Sequence, residues 1–478
     1  MTLTIVLLYF AVVVAVGIYA YRKVNGSTDQ FFVAGRSLGT FVNSWAFLAS
    51  LASGGSVMAG VGTGIALGLP YFAALAAGAP VGFVVASILV ARPLRNLGKY
   101  TIPDFFAARF NSKAMAWAVP LIIVAGSLAY IVAQLKGASI VASYLLGWSY
   151  EQGIVLTGIV FILYVAIGGF LSVTLNDVIQ GILMFSMMVG FAVMAYAAMG
   201  SYSSSFNTAL ENYPSLGETG SALPIASYIG GFLTWATAIC VLPHVIMRVY
   251  SAKSVRSARL SLNYAMLIFG VMMLLGVLVL TPAAAALVDD LDLTQPDAAF
   301  LTLAEHVLPP VMLGVVVAAI LAAIMSTTAG LLMACNSALA HDIYAKLIRP
   351  QASQREVVWA AGIATWIVGG IAMIFALNPP DFLIVLYTAA VGLLASSFFA
   401  PMILGIWWPR CTTRGATAGL FAGAVTFAAA FLLFDMPYST ELLVALPVSF
   451  VTSVGVSLAA RPGGEREKER LEPRAQPV

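Results

Sequence analysis

The polar side chains best able to do chemistry in this chain sit inside stretches that are otherwise almost wholly apolar. Between 48 and 64 the sequence packs five glycines and three serines, with Ser53, Gly54, Gly55 and Ser56 in one run. Each glycine costs a helix about 1 kcal/mol relative to alanine, so adjacent glycines beside hydroxyls predict an unwound stretch. Irregular backbone at membrane depth survives where it lines a cavity or is buried in protein. The competing reading is a small-residue face for helix packing. An unwound stretch offers two kinds of ion site: half-helix N-termini suit a carboxylate, and freed carbonyls with hydroxyls suit a dehydrated Na⁺. A second interruption is expected within 225–250, where Gly230-Gly231 precede Leu242-Pro243-His244, because proline removes a backbone donor and crowds the turn before it. Ser326, Thr327 and Thr328 supply hydroxyls in mid-span. They either ligate an ion or bond back to carbonyls four residues earlier.

Lys136, in Gln134-Leu-Lys-Gly-Ala-Ser, is a base deep in an apolar segment. Such a charge is costly and by default marks a site; the alternatives are snorkelling or a structural ion pair with Asp177. His244 reads as a structural hydrogen-bonder more readily than as a proton relay. Trp235 either stacks over a solute or fills the core between helices. Pro93, Arg95, Lys99 and Tyr100 read as a loop that holds the helices in register. No phosphate-binding Gly-x-x-x-x-Gly-Lys-Ser/Thr loop occurs. Cys240, Cys335 and Cys411 have no paired spacing, and no nucleophile-and-base set appears. ATP-driven pumping and enzymatic catalysis are therefore not expected.

The elements that hold these residues follow from composition. Of 478 residues, 61% are apolar and 9% charged, with mean hydropathy +0.97. A soluble protein of this size needs roughly a quarter of its residues charged, so the chain is expected to be an all-α polytopic membrane protein. About twenty apolar residues cross the hydrocarbon core. That ruler gives about thirteen spans: 2–21, 40–67, 69–91, 115–147, 152–170, 173–199, 223–249, 258–287, 308–345, 355–377, 380–407, 413–434 and 440–460. The first lacks a basic start and a small-residue cleavage site, and reads as a retained helix rather than a signal peptide. With the N-terminus outside, 22 of the 23 Lys and Arg residues, Arg248 and Lys346 among them, fall on cytoplasmic loops or the tail. The outside loops carry Glu211, Glu218, Asp289, Asp290, Asp292 and Asp297 instead. One miscounted span would invert every later loop, so this regularity supports the count and a cytoplasmic C-terminus in the cell membrane. The two interrupted spans open successive five-span blocks, the pattern of an inverted-repeat transporter.

At these residues the chain resembles the sodium:solute symporter family. The resemblance is carried by Gly35-Arg-Ser-Leu-Gly, by Gly168-Gly-Phe-Leu-Ser-Val-Thr-Leu-Asn-Asp-Val-Ile-Gln180, by Leu242-Pro-His-Val-Ile-Met-Arg248 and by Ala322-Ala-Ile-Met-Ser-Thr327, over about 35–423. It implies a leucine-transporter-like core of two inverted five-helix repeats, with one helix before and two after. The implied divisions are 1–34, 35–200, 201–410, 411–460 and a charged tail 461–478. It also implies a sodium site formed by Ala49, Ala52, Ala323, Ser326 and Thr327. Members with a second sodium carry hydroxyls where this chain has Ala329 and Gly330; Asp177, which helps hold that ion in them, is present. Gln134 matches a solute-contacting position of sugar-carrying members. Motifs of the pantothenate, proline and monocarboxylate members occur together, but Leu51 and Ile239 stand where proline carriers have an acid and a tyrosine.

The resulting expectation is Na⁺-coupled uptake of a small organic solute, one Na⁺ per solute. A carboxylate, such as a monocarboxylate or pantothenate, is favoured over proline or another amino acid. The solute is expected between Ser53-Gly54-Gly55-Ser56 and Trp235, with Gln134 and Lys136 as further lining. Asp177 and Pro243 are further candidates. A passive facilitator and a membrane sensor are the weaker alternatives: the spans lack rings of polar residues, and no relay domain is evident. Beyond solute, sodium and bilayer no partner is expected, neither nucleic acid nor an obligate protein.

Overall fold

A computed structural model describes residues 2–24, 27–218, 223–289, 291–293, 295–379, 383–434 and 436–460. Asp290 and the tail 461–478 lie outside them. The described chain is helical, with no strand beyond an isolated bridge between Leu38 and Ala252. The long helices are α1 (Thr2–Val24), α2 (Thr40–Leu51), α3 (Gly55–Ala66), α4 (Leu69–Leu89), α5 (Lys113–Leu146), α6 (Tyr150–Met199) and α7 (Ile225–Ala238). They continue as α8 (Pro243–Ser251), α9 (Val255–Leu287), α10 (Pro310–Ile348), α11 (Gln354–Ala376), α12 (Leu383–Trp407), α13 (Thr413–Leu433) and α14 (Glu441–Ala459).

Among the described residues, eleven helices are long and apolar enough to cross a membrane, or twelve if the bent pair α2–α3 is one span. The expected count of thirteen is therefore approximate. The difference lies at 152–170, which is joined to 173–199 in one helical run. Chemically, α6 is one run of 50 residues, about 75 Å at 1.5 Å per residue. That is more than twice the roughly 30 Å of a hydrocarbon core, and the run breaks once, at Gly169 (φ 59°, ψ −160°). Only glycine adopts that conformation readily. A Cβ there would also lie 2.6 Å from the Phe31 ring.

Two interrupted elements lie at the centre. Between α2 and α3 the chain turns by 67°. Between α7 and α8 the helix stops at 239–242, and Pro243 opens the next one, a position where its missing N–H is no loss. Helices α4, α7 and α9 pack together, as do α5, α6 and α10, while α12, α13 and α14 form a third group. Large apolar side chains on α1, α11, α13 and α14 remain exposed, as lipid-facing surfaces require.

Candidate ion and solute sites

The break between α2 and α3 redirects its own backbone. Helix α2 stops at Ala52 (ψ 102°), so Ser53 and Ser56 do not donate to the carbonyls four residues back. Ser53 N–H donates instead to Ser56 Oγ at 2.8 Å, Ser56 N–H to Ser53 Oγ at 3.2 Å, and Gly54 N–H to Gln134 Oε1 at 3.2 Å. The carbonyls of Ala49 and Ala52 are thereby released to face α10. There Ser326 Oγ donates to Ala49 O at 2.7 Å and to Ala323 O at 3.0 Å, and Thr327 Oγ1 donates to Ala52 O at 3.3 Å. The structure thus gathers five oxygens from Ala49, Ala52, Ala323, Ser326 and Thr327, all wholly buried and without formal charge. Oxygen ligands of this kind suit a hard, weakly charged cation. Thr328 differs: it bonds back to Ile324 O at 2.7 Å within its own helix.

Beside this cluster lies a small cavity, of about 30 Å³, lined by Leu51, Ser56, Phe72, Leu75, Ala76, Ala79, Trp235, Phe269, Met273 and Tyr387. Trp235 therefore faces open space, not only core. Its ring lies 5.6 Å from that of Tyr387, which also stacks on Tyr130 at 5.9 Å. A Cβ on Gly55 would lie 2.5 Å from the Tyr387 ring, so the break touches α12 only because that residue is glycine. Ser53 and Gln134 are wholly buried and, like Gly54 and Gly55, do not line the cavity, and the Nε2 of Gln134 has no protein hydrogen-bond partner. Lys136 is buried on α5, two positions and about 200° around the helix from Gln134. It does not line the cavity.

The alternative pairing of Lys136 with Asp177 is overturned. Asp177 pairs with Arg248, and both side chains are wholly buried. Arg248 Nε also donates to Ser50 Oγ at 3.0 Å, its carbonyl accepts from Asn43 Nδ2 at 3.1 Å, and its guanidinium lies 5.4 Å from the Phe170 ring centroid. One side chain thereby ties α8 to α2 and α6. The sequence placed Arg248 with the loop cations; its partner is 71 positions away, and no local pattern announces it. His244 is also corrected: neither ring nitrogen has a protein partner. Its Cβ would stand 3.2 Å from a Cβ at Gly330, so a larger residue there would require His244 to shift by a few tenths of an ångström.

At the basic end of the bundle, Arg95 Nε donates to Ala252 O at 2.5 Å and Tyr100 OH to Asp29 Oδ1 at 2.5 Å. Lys346 bridges Asp104 at 2.7 Å and Asp342 at 2.5 Å. Burial alone would raise the Asp104 carboxyl, but His341 and Lys346 beside it hold it well below the usual carboxylate range. The Asp342–Lys346 spacing of four is a local signal of a helical ion pair, which counting Lys346 only among the cytoplasmic cations does not use; Asp104 as the third member has no local signal.

A family model described as the sodium:solute symporter family matches residues 31–423. The osmoregulated proline transporter OpuE of Bacillus subtilis is 29% identical over 88% of this chain and 86% of its own. The sodium/pantothenate symporter of Escherichia coli is 28% identical over 88% of each. Among solved structures, a Na⁺-coupled sialic acid symporter in a substrate-bound outward-open state superposes with a TM-score of 0.82 at 17% identity, over 96% of this chain and 98% of that one. A nucleobase-cation-symport-1 family transporter in a closed conformation gives 0.58 at 16% identity, over 92% and 97%. The fold is thus leucine-transporter-like, with the inverted-repeat core that the interrupted helices suggested. With that architecture and a family match over most of its length, the chain belongs to the sodium:solute symporter family.

Proposed function

We propose that this protein moves one Na⁺ together with one small organic carboxylate into the cell by alternating access. The observation that supports it most is the meeting of Ala49 and Ala52 carbonyls with the Ser326 and Thr327 hydroxyls. These oxygens belong to helices that must part if access alternates, so Na⁺ bound between them would favour the closed arrangement and be released when they separate. A single ion is expected because Ala329 and Gly330 offer no side-chain oxygen. The solute carboxylate would take the place of Gln134 Oε1 and Ser56 Oγ on the N–H groups of the break. Amino-acid symport is the second reading, favoured by the proline-transporting relatives. Against it, Leu51 lines the cavity and no lining residue is acidic to receive an ammonium group. The N-terminus would lie outside and the basic loops in the cytoplasm.

The test is uptake by the purified protein in proteoliposomes, driven by an inward Na⁺ gradient and compared with K⁺. Monocarboxylates should compete for uptake and produce no substrate-induced current on a solid-supported membrane, since one Na⁺ and one monoanion carry no net charge. Currents with amino acids, with neither monocarboxylates nor pantothenate competing, would contradict the reading.

A further inference from the structure

We infer that the solute is an apolar monocarboxylate, with its carboxylate at the Ser53–Ser56 break and an aliphatic or aromatic body against Phe72, Leu75, Trp235, Phe269 and Met273. This rests on the carboxylate reading above and narrows it. None of the ten residues lining the cavity is charged, and the only aliphatic hydroxyl among them is that of Ser56, at the break itself. The remaining polar atoms of the wall are the Tyr387 phenol and the Trp235 indole N–H. Five helices supply the rest of the surface: α2 gives Leu51, α4 gives Phe72, Leu75, Ala76 and Ala79, α7 gives Trp235, α9 gives Phe269 and Met273, and α12 gives Tyr387.

Such a wall distinguishes solutes by their bodies. Each methylene moved from water onto it should strengthen binding about fourfold. A hydroxyl, amide or ammonium placed on its aliphatic part, away from the Tyr387 phenol and the Trp235 N–H, loses its water without gaining a partner, which weakens binding about tenfold or more. Lactate, gluconate and pantothenate carry polar groups along their bodies, so the wall disfavours them against acids of equal size that do not. The polar end is served separately: the break presents N–H groups now held by Gln134 and Ser56, and the buried Nε2 of Gln134 stands ready to donate once its oxygen is displaced.

The experiment is calorimetric titration of the purified, full-length protein in Na⁺ and in K⁺. Its probes are propionate, butyrate, valerate, hexanoate and phenylacetate, with lactate set against its near-isostere isobutyrate, and leucine set against its deaminated counterpart 4-methylvalerate. Na⁺-dependent affinity should rise about fourfold per methylene from propionate to valerate. Isobutyrate should exceed lactate at least tenfold, and 4-methylvalerate should bind where leucine does not. Met273→Gln should flatten the chain-length dependence. Carboxylate binding that is flat with chain length, or stronger for lactate than for isobutyrate, would overturn this inference and leave the carboxylate reading standing. Na⁺-dependent binding of leucine with none of the acids would overturn both.

Discussion

Ser326 and Ala49 are 277 positions apart, and a 2.7 Å hydrogen bond joins them. A carbonyl accepts from a distant hydroxyl here because its own helix has ended three residues later. Losing the hydroxyl would remove one of five proposed ion ligands and leave a buried carbonyl without its partner, at a cost of about 1–3 kcal/mol. Ser326→Ala and Thr327→Ala should each raise the Na⁺ concentration for half-maximal uptake by about five- to 150-fold. Thr328→Ala, which loses only a bond within its own helix, should leave it near the wild-type value. Equal behaviour of the three would refute this assignment. Arg248 makes a different claim, about stability. Removing one partner of a buried ion pair costs about 3–5 kcal/mol because the other charge is stranded. Arg248→Met should therefore lower the melting temperature in detergent sharply, and Asp177→Asn with Arg248→Met should recover most of the loss. No recovery in the double variant would mean that the pair does not act as a unit.

The elements follow simple rules, broken where glycine or proline stands. Ser53-Gly54-Gly55-Ser56 announced the bend because glycine pairs weaken a helix and serines recapture its freed N–H groups. Pro243 announced the second break. The split near 170 was legible too, although it proves to be a single glycine within α6 and not a loop. What the sequence could not show is which distant residues meet. Arg248 was counted as a loop cation because charge at the end of an apolar run usually faces water, and only the folded chain brings Asp177 beneath it. Tyr387 looked like any aromatic of an apolar helix until Gly55 packed against it. Helix contact also dictates smaller residues: a Cβ on Gly230 would lie 1.9 Å from the carbonyl oxygen of Ser439, whereas one on Gly370 would meet nothing within 4 Å. Gly230→Ala should thus destabilise the protein by about 1–3 kcal/mol through overpacking. Gly370→Ala should be neutral or stabilising by up to about 1 kcal/mol. Thermal unfolding of the two variants side by side checks the pair, and equal melting temperatures would count against the fitted contact between α7 and the turn before α14.

At the scale of the molecule, composition alone required a membrane protein, and charge distribution proposed its orientation. Cys240, Cys335 and Cys411 are all buried, so single surface cysteines can report topology with little background. An impermeant thiol reagent applied to intact cells should label a cysteine at Asp292 and spare one at Arg256, both exposed positions; the reverse pattern would invert the proposed orientation. Sodium coupling joins the scales, because two carbonyls at one break and two hydroxyls on one helix would link α2 to α10 through a single ion. The most direct measurement is equilibrium binding of radiolabelled sodium to the purified protein, with and without the Ser326→Ala change. One equivalent per protein, lost or strongly weakened in the variant, is the predicted result. Two equivalents, or wild-type binding in the variant, would contradict the account.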